Sequence, residues 1–108
     1  MSVLALEGDR VVAFALAHAE DAVPKVQFVA AAPDCWGRGH AGRVLDAMVE
    51  QLGERGYASA RLNVYTDNVQ AMRMYERHGW VRARGPAKPH SRTGKPEYTY
   101  TRQLGPLA

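Results

Sequence analysis

Trp36-Gly37-Arg38-Gly39-His40-Ala41-Gly42 places three glycines within six positions just ahead of an amphipathic segment. Glycine lets the backbone come close to an anion, and the free N–H groups of a helix start can hold a phosphate. Arg38 and Arg43 would add positive charge there. The chemistry this spacing offers is the binding of a diphosphate-bearing cofactor. Farther along, Asn68 and Tyr75 stand seven residues apart, which at about 100° per residue puts them on nearly the same helix face. A phenol has an unperturbed pKa of about 10, so at neutral pH a tyrosine keeps its proton and can serve as a general acid.

The elements that must position these residues follow from the apolar pattern. Val3 to Leu6 and Val11 to Ala17 are apolar runs separated by Glu7-Gly8-Asp9-Arg10, whose Gly-Asp pair predicts a tight hairpin turn. Glu20 to Pro24 reads as a loop. Lys25 to Ala32 is expected as a third strand, with Val26, Phe28 and Ala30 on one face and Gln27, Val29 and Ala31 on the other. Pro33 ends it, because proline cannot donate to a ladder. The first helix is expected from Gly39 to Arg55. Val44, Leu45, Met48, Val49 and Leu52 form one stripe, and Gly56 supplies a left-handed stop.

Ala60 to Thr66 reads as a fourth strand with Leu62 and Val64 on one face. Asp67 or Asn68 caps a second helix that ends at Gly79. Trp80 to Arg84 and Glu97 to Arg102 are the last strands. The segment from Gly85 to Pro96, with three prolines and two glycines, reads as a loop. The order is β-β-β-α-β-α-β-β. It predicts an α/β (α+β) fold: a mixed, mostly antiparallel sheet around a central βαβ unit with a right-handed crossover. No internal repeat or linker is visible, and 108 residues suit one domain, 1–108.

Composition narrows the function classes. The chain is 46% hydrophobic and 23% charged, a globular rather than disordered balance. No apolar run approaches the roughly 20 residues that cross a membrane, and no signal peptide opens the chain. Cys35 is the single cysteine, so no internal disulfide is expected, and a reducing, cytoplasmic setting is. A formal charge of +3 suits a polyanionic cofactor and does not argue for nucleic acid. Neither nucleic acid nor membrane is expected as a partner. His18, His40, His78 and His90 lack metal-ligand spacing, so no metal is expected. Cys35, with no base placed beside it, is expected to have no chemical role.

Gly37-Arg38-Gly39-His40-Ala41-Gly42 also matches the dinucleotide fingerprint G-x-G-x-x-G, with Asp67 near the end of the next strand. The match lacks its context. Pro33 to Trp36 separate the loop from the strand, a hairpin precedes the βαβ unit, and the chain is too short for two mononucleotide halves.

A second segment reads Leu62-x-Val64-x-x-x-Asn68-x-x-Ala71-x-x-x-Tyr75-Glu76-x-x-Gly79-Trp80. Together with Gly39 and Ala41 at the helix start, it resembles the GNAT superfamily of N-acetyltransferases from Val3 to Leu104. That family carries R/Q-x-x-G-x-G/A before its central helix, and Trp36 stands here where arginine or glutamine is usual. The resemblance implies an acyl-CoA N-acyltransferase-like fold and transfer of acetyl from acetyl-CoA to a primary amine. It also implies that the loop of Trp36, Gly37, Arg38, Gly39, His40, Ala41 and Gly42 holds the CoA pyrophosphate. The pantetheine arm would lie along Val29, Ala30 and Ala31, where a strand N–H polarises the thioester carbonyl. Asn68 would contact the cofactor, and Tyr75 would protonate the departing CoA thiolate.

The attacking amine, with a pKa of about 10.4 for a lysine-like group, must lose a proton. Some members place a glutamate on the third strand for this, but Lys25 and Gln27 stand here. Glu20, Asp21, Asp34 and Glu97 are substitutes among which the sequence does not choose, and proton loss to solvent stays open. Arg82, Arg84, Lys88, Arg92 and Lys95 make the late segment basic, either as solvated surface or to attract an acidic acceptor or the CoA 3′-phosphate.

Members commonly begin with a further strand and two helices that help build the acceptor pocket. The chain starts at the following strand, as a compact variant, a piece of a longer frame, or a sheet completed by a second copy in a homodimer. Three functions stay open: an N-acetyltransferase, a module that holds acyl-CoA without turnover, and a dinucleotide-dependent protein.

Overall fold

Strand β1 (Ser2–Glu7) turns through Gly8 and Asp9 into β2 (Arg10–His18), and Gly8 takes the positive φ of +61° that the two-residue turn demands. Strand β3 (Lys25–Ala31) runs antiparallel to β2. A 3-10 turn at Pro33–Cys35 leads to α1 (His40–Glu54), which crosses back to β4 (Ser59–Tyr65), parallel to β3. Helix α2 (Val69–Arg77) follows, then β5 (Val81–Arg82), β6 (Lys88–Pro89) and β7 (Pro96–Gln103). The sheet order is β1-β2-β3-β4-β7-β5, with β6 also paired to β7. This computed structural model describes residues 1–19 and 21–104, so Glu20 lies outside the described residues.

The expected element order holds with one addition. Strand β6 forms inside the segment expected as a loop, with Lys88 opposite Glu97 and Pro89 opposite Pro96. Proline is tolerated because the pairing lies at a sheet edge. Its turn is closed by His90, whose N–H donates to the Lys95 carbonyl (2.8 Å) and whose Nδ1 accepts from the Arg92 and Thr93 amides (3.0 and 3.1 Å).

The core lies between the sheet and α1. Val44, Leu45, Met48 and Leu52 of the helix stripe pack on Ala13, Ala15, Ala17, Val26, Ala60 and Leu62. The alanines of β2 let the helix approach closely. Helix α2 lies on the same face, its C-terminal end against α1: a Cβ at Gly42 would sit 2.5 Å from His78 Nε2, and His78 Nδ1 lies 2.9 Å from both carboxylate oxygens of Asp46. The opposite face keeps Leu4, Phe14 and Phe28 exposed in neighbouring strands.

The third strand is not regular. Leu16 pairs with Phe28 but Ala17 pairs with Val26, so Gln27 is an extra residue, a β-bulge. The expected single face of Val26, Phe28 and Ala30 is therefore broken. Val26 is 3% exposed and Phe28 59%, while Val29 and Ala31 turn to the helix side. A bulge breaks the two-residue period, and period is all that a strand pattern reports.

Tyr100, fully buried, donates from its hydroxyl to Glu76 Oε2 at 2.7 Å. Burial first, and then this carboxylate, push its pKa up to about 12. Because the folded value lies above the unfolded one, the stabilisation is complete below pH 10 and is lost as pH rises from about 10 to 12, by about 2–3 kcal/mol. Urea melts on either side of that window should show the fall, and Tyr100→Phe should remove the larger part of it.

Candidate active site

Strands β3 and β4 pair only at Lys25 with Arg61 and Val26 with Leu62, and then diverge where the bulge at Gln27 bends β3. Ala32 N–H donates to the Val12 carbonyl at 2.8 Å. The two-residue period then points the backbone groups of Ala30 to β2 as well, and those of Val29 and Ala31 toward β4. On β4, Arg61 N–H reaches the Pro24 carbonyl (3.0 Å) and Thr66 N–H the Pro96 carbonyl (3.1 Å), so Asn63 and Tyr65 turn their groups toward β3. Two strand edges thus face each other across a wedge that an extended ligand can enter as an added strand. Trp36 Nε1 donates to the Ala31 carbonyl (2.9 Å) and Asn68 N–H to the Tyr65 carbonyl (3.0 Å). Among the described residues Val29 keeps both backbone groups unpaired, and Ala31 and Tyr65 keep their N–H groups.

The glycine loop lies at the wide end of this wedge, after β3. Gly37 and Gly39 have φ of +85° and +77°, and Gly39 is the N-cap of α1. No side chain caps the helix, and its first turn holds no acid. The amides of His40, Ala41 and Gly42 therefore have no helical acceptor and, with the helix dipole, favour an anion. Arg43 lies over the loop: a Cβ at Gly39 would sit 3.3 Å from its guanidinium. At Gly42 the place of a Cβ is in addition taken by His78.

Sequence reasoning missed Glu7. Its Oε1 lies 2.9 Å from Nε2 of the buried His40 and 3.6 Å from Arg38. His40 Nδ1 accepts from Arg43, which leaves the ring proton on Nε2 for Glu7. The two loop cations are thus held through a carboxylate 33 residues before His40, for which the sequence carries no periodic signal.

Asn68 is the N-cap of α2. Its Oδ1 accepts from Ala71 N–H at 3.2 Å, leaving the side-chain amide nitrogen without a partner among the described residues. Tyr75 is packed 6.4 Å from the Trp80 ring and 6.1 Å from the Tyr100 ring, centroid to centroid. Burial raises its pKa above the ordinary phenol value, and its hydroxyl has no hydrogen-bond partner among the described residues. Among the carboxylates considered as bases, Asp34 accepts from Arg10 at 2.7 Å and is held below the ordinary carboxylate range by that bond. Asp21 lies 3.8 Å from Arg61. Glu97 stands opposite Tyr65 at the end of β4, with no ion pair among the described residues.

Of the late cations, Lys95 is bound to Asp67 (3.3 Å) and Arg82 lies over the Tyr98 ring (4.5 Å). Cys35 is buried. Among the described residues no group of His, Cys, Asp or Glu side chains could hold a metal ion, and no helix is long and apolar enough to cross a membrane.

The fold has counterparts among solved structures. The chain is similar to the ribosomal-protein-S18-alanine N-acetyltransferase from Escherichia coli at 20% identity and a TM-score of 0.82, over 100% of this chain and 71% of that one. It is also similar to a GNAT family acetyltransferase from Elizabethkingia anophelis with acetyl-CoA bound, at 12% identity and a TM-score of 0.81, over 95% and 75% of the two chains. A third is the IAA acetyltransferase from Bacillus cereus, at 14% identity and a TM-score of 0.83, over 95% and 77%. At these identities the likeness concerns the fold. None of the curated protein sequences matches the chain. The model of the acetyltransferase (GNAT) family matches residues 1–80, which takes in the diverging strands, the glycine loop, Asn68 and Tyr75. With the match covering most of the sequence and the fold shared throughout, the chain belongs to the acetyltransferase (GNAT) family, whose enzymes use acetyl-CoA.

Proposed function

We propose that residues 1–108 form one N-acetyltransferase domain that moves acetyl from acetyl-CoA to a primary amine by direct attack. One observation carries this reading: the open wedge between β3 and β4 ends at an uncapped, acid-free helix start. The residues fit the co-substrate. Gly37 to Gly42, with Arg38 and Arg43, would hold the pyrophosphate, and Val29 and Ala31 would pair with the pantetheine arm. The open amide nitrogen of Asn68 would add a cofactor contact. Acetyl-CoA supplies the thioester acyl group. The N–H of Val29 or Ala31 would polarise its carbonyl.

As the amine nitrogen bonds to that carbon and the carbon–sulfur bond breaks, Tyr75 would give its hydroxyl proton to sulfur. Its raised pKa suits this, because the phenol remains protonated. The amine proton passes to solvent or to a carboxylate such as Glu97. The cytoplasm is the compartment that fits.

Calorimetric titration of acetyl-CoA, with NAD as control, is the first test. Saturable binding of acetyl-CoA alone is expected, and binding of NAD instead would remove the reading. Turnover with a broad amine panel then separates an enzyme from a module that only holds acyl-CoA.

A further inference from the structure

Arg43 is exposed, and holding an exposed guanidinium over a loop costs side-chain entropy. Among the described residues no carboxylate holds it. Its partner is the imidazole of His40, three residues earlier on α1, whose Nδ1 accepts from the guanidinium. Arginine only donates, so Nδ1 must carry no proton and the ring proton must sit on Nε2. There it meets Glu7 Oε1 at 2.9 Å. His40 is 9% exposed, so Glu7 rather than bulk water receives this bond. Glu7 reaches it because the two-residue period puts it on the face of β1 that carries Val3 and Ala5, the face packed toward α1.

We propose, on the reading that this loop holds the CoA pyrophosphate, that Glu7 is a positioning residue for acetyl-CoA. By accepting from Nε2 it keeps His40 in the one tautomer that holds Arg43 over the free amides of α1. The affinity for the pyrophosphate is thereby set from the β1–β2 hairpin. One N–H of Arg43 is spent on His40, and the others stay available to an anion.

A carboxylate beside a phosphate site also repels the phosphate, so two effects compete. Glu7 is half exposed and bonded to the ring nitrogen opposite the one that meets Arg43. Water therefore screens its repulsion to a factor of about two to three. A charge-assisted hydrogen bond held in place contributes a factor of about 10 or more. Positioning wins. Arg38, 3.6 Å from the same oxygen, is a lesser partner, since both side chains are about half exposed and such pairs contribute little.

Calorimetric titration of acetyl-CoA into a set of variants tests this. Glu7→Ala should weaken binding about 10-fold. Glu7→Gln keeps an acceptor for Nε2 and drops the charge, so it should bind at least as tightly as the wild type. His40→Phe should lose about as much as Glu7→Ala, and Glu7→Ala added to His40→Phe should cost nothing further, because Glu7 acts through the ring. In the free protein at about pH 8, nitrogen NMR should place the His40 proton on Nε2 in the wild type and in Glu7→Gln, and on both nitrogens in exchange in Glu7→Ala. The wild-type spectrum and His40→Phe keep the test decisive if Glu7→Ala disturbs the hairpin. Equal affinity in the wild type and Glu7→Ala, a Glu7→Gln as weak as Glu7→Ala, additive losses in the double variant, or a wild-type proton on Nδ1 would overturn the proposal. A wild type that binds no acetyl-CoA would overturn it together with the reading of the loop, an outcome distinct from binding that ignores Glu7.

Discussion

Tyr75→Phe is expected to lower kcat by about 100-fold or more while acetyl-CoA binds as before. The substitution removes one hydroxyl that has no hydrogen-bond partner among the described residues and keeps the ring packed on Trp80 and Tyr100. Folding and the wedge between β3 and β4 are therefore left alone, and only the hydroxyl that is proposed as proton donor goes. A role in packing alone would predict unchanged turnover. The pH profile adds a readout that packing would not move. An acid must be protonated to act, and burial raises the Tyr75 pKa, so the alkaline fall of kcat in the wild type should be displaced upward from that of an ordinary phenol. In Tyr75→Phe that limb should vanish. Steady-state kinetics alongside calorimetry separates the loss in kcat from any change in affinity, and wild-type turnover in the variant would sink the assignment.

Gly39→Val should act on the other half of the reaction, weakening acetyl-CoA binding by about 10- to 100-fold, the equivalent of one or more lost charge-assisted hydrogen bonds. Two causes add. A φ of +77° is strained for a β-branched residue by about 1–2 kcal/mol, so the loop would shift to relieve it. The new side chain would also press on the Arg43 guanidinium, 3.3 Å from the position of its Cβ, and cover the free amides of the helix start. Calorimetry should show the weaker affinity. The kcat at saturating acetyl-CoA should fall far less than in Tyr75→Phe, because Tyr75 sits on a different helix. An unaltered affinity would remove the loop from the binding site.

Much of this was readable in the residues because local rules governed it. The stripe of Val44, Leu45, Met48 and Leu52 is buried as its spacing required. Gly56 and Gly79 take positive φ just past the two helices, and Asn68 caps the second. What could not be read depends on partners distant in sequence. That His78, just past the second helix, fills the space beside Gly42 is not visible in the local pattern. Glu7 sits in a hairpin and has no local reason to meet His40. The short β6 pairing rests on side-chain bonds within a turn, which carry no period. The bulge at Gln27 was invisible for a related reason: every residue of that strand is plausible on either face until its register against β2 is known.

Strand β3 carries one residue more than its ladder against β2 requires. Deleting a residue from a strand ordinarily turns everything beyond it inside out. Deleting Gln27 would instead join Val26 to Phe28 and leave each neighbour on the face it already occupies. The same deletion would straighten the bend at which β3 leaves β4. Loss of this single codon is thus conservative for the core and closes the wedge between β3 and β4, so the two become separable by a deletion that no substitution reproduces.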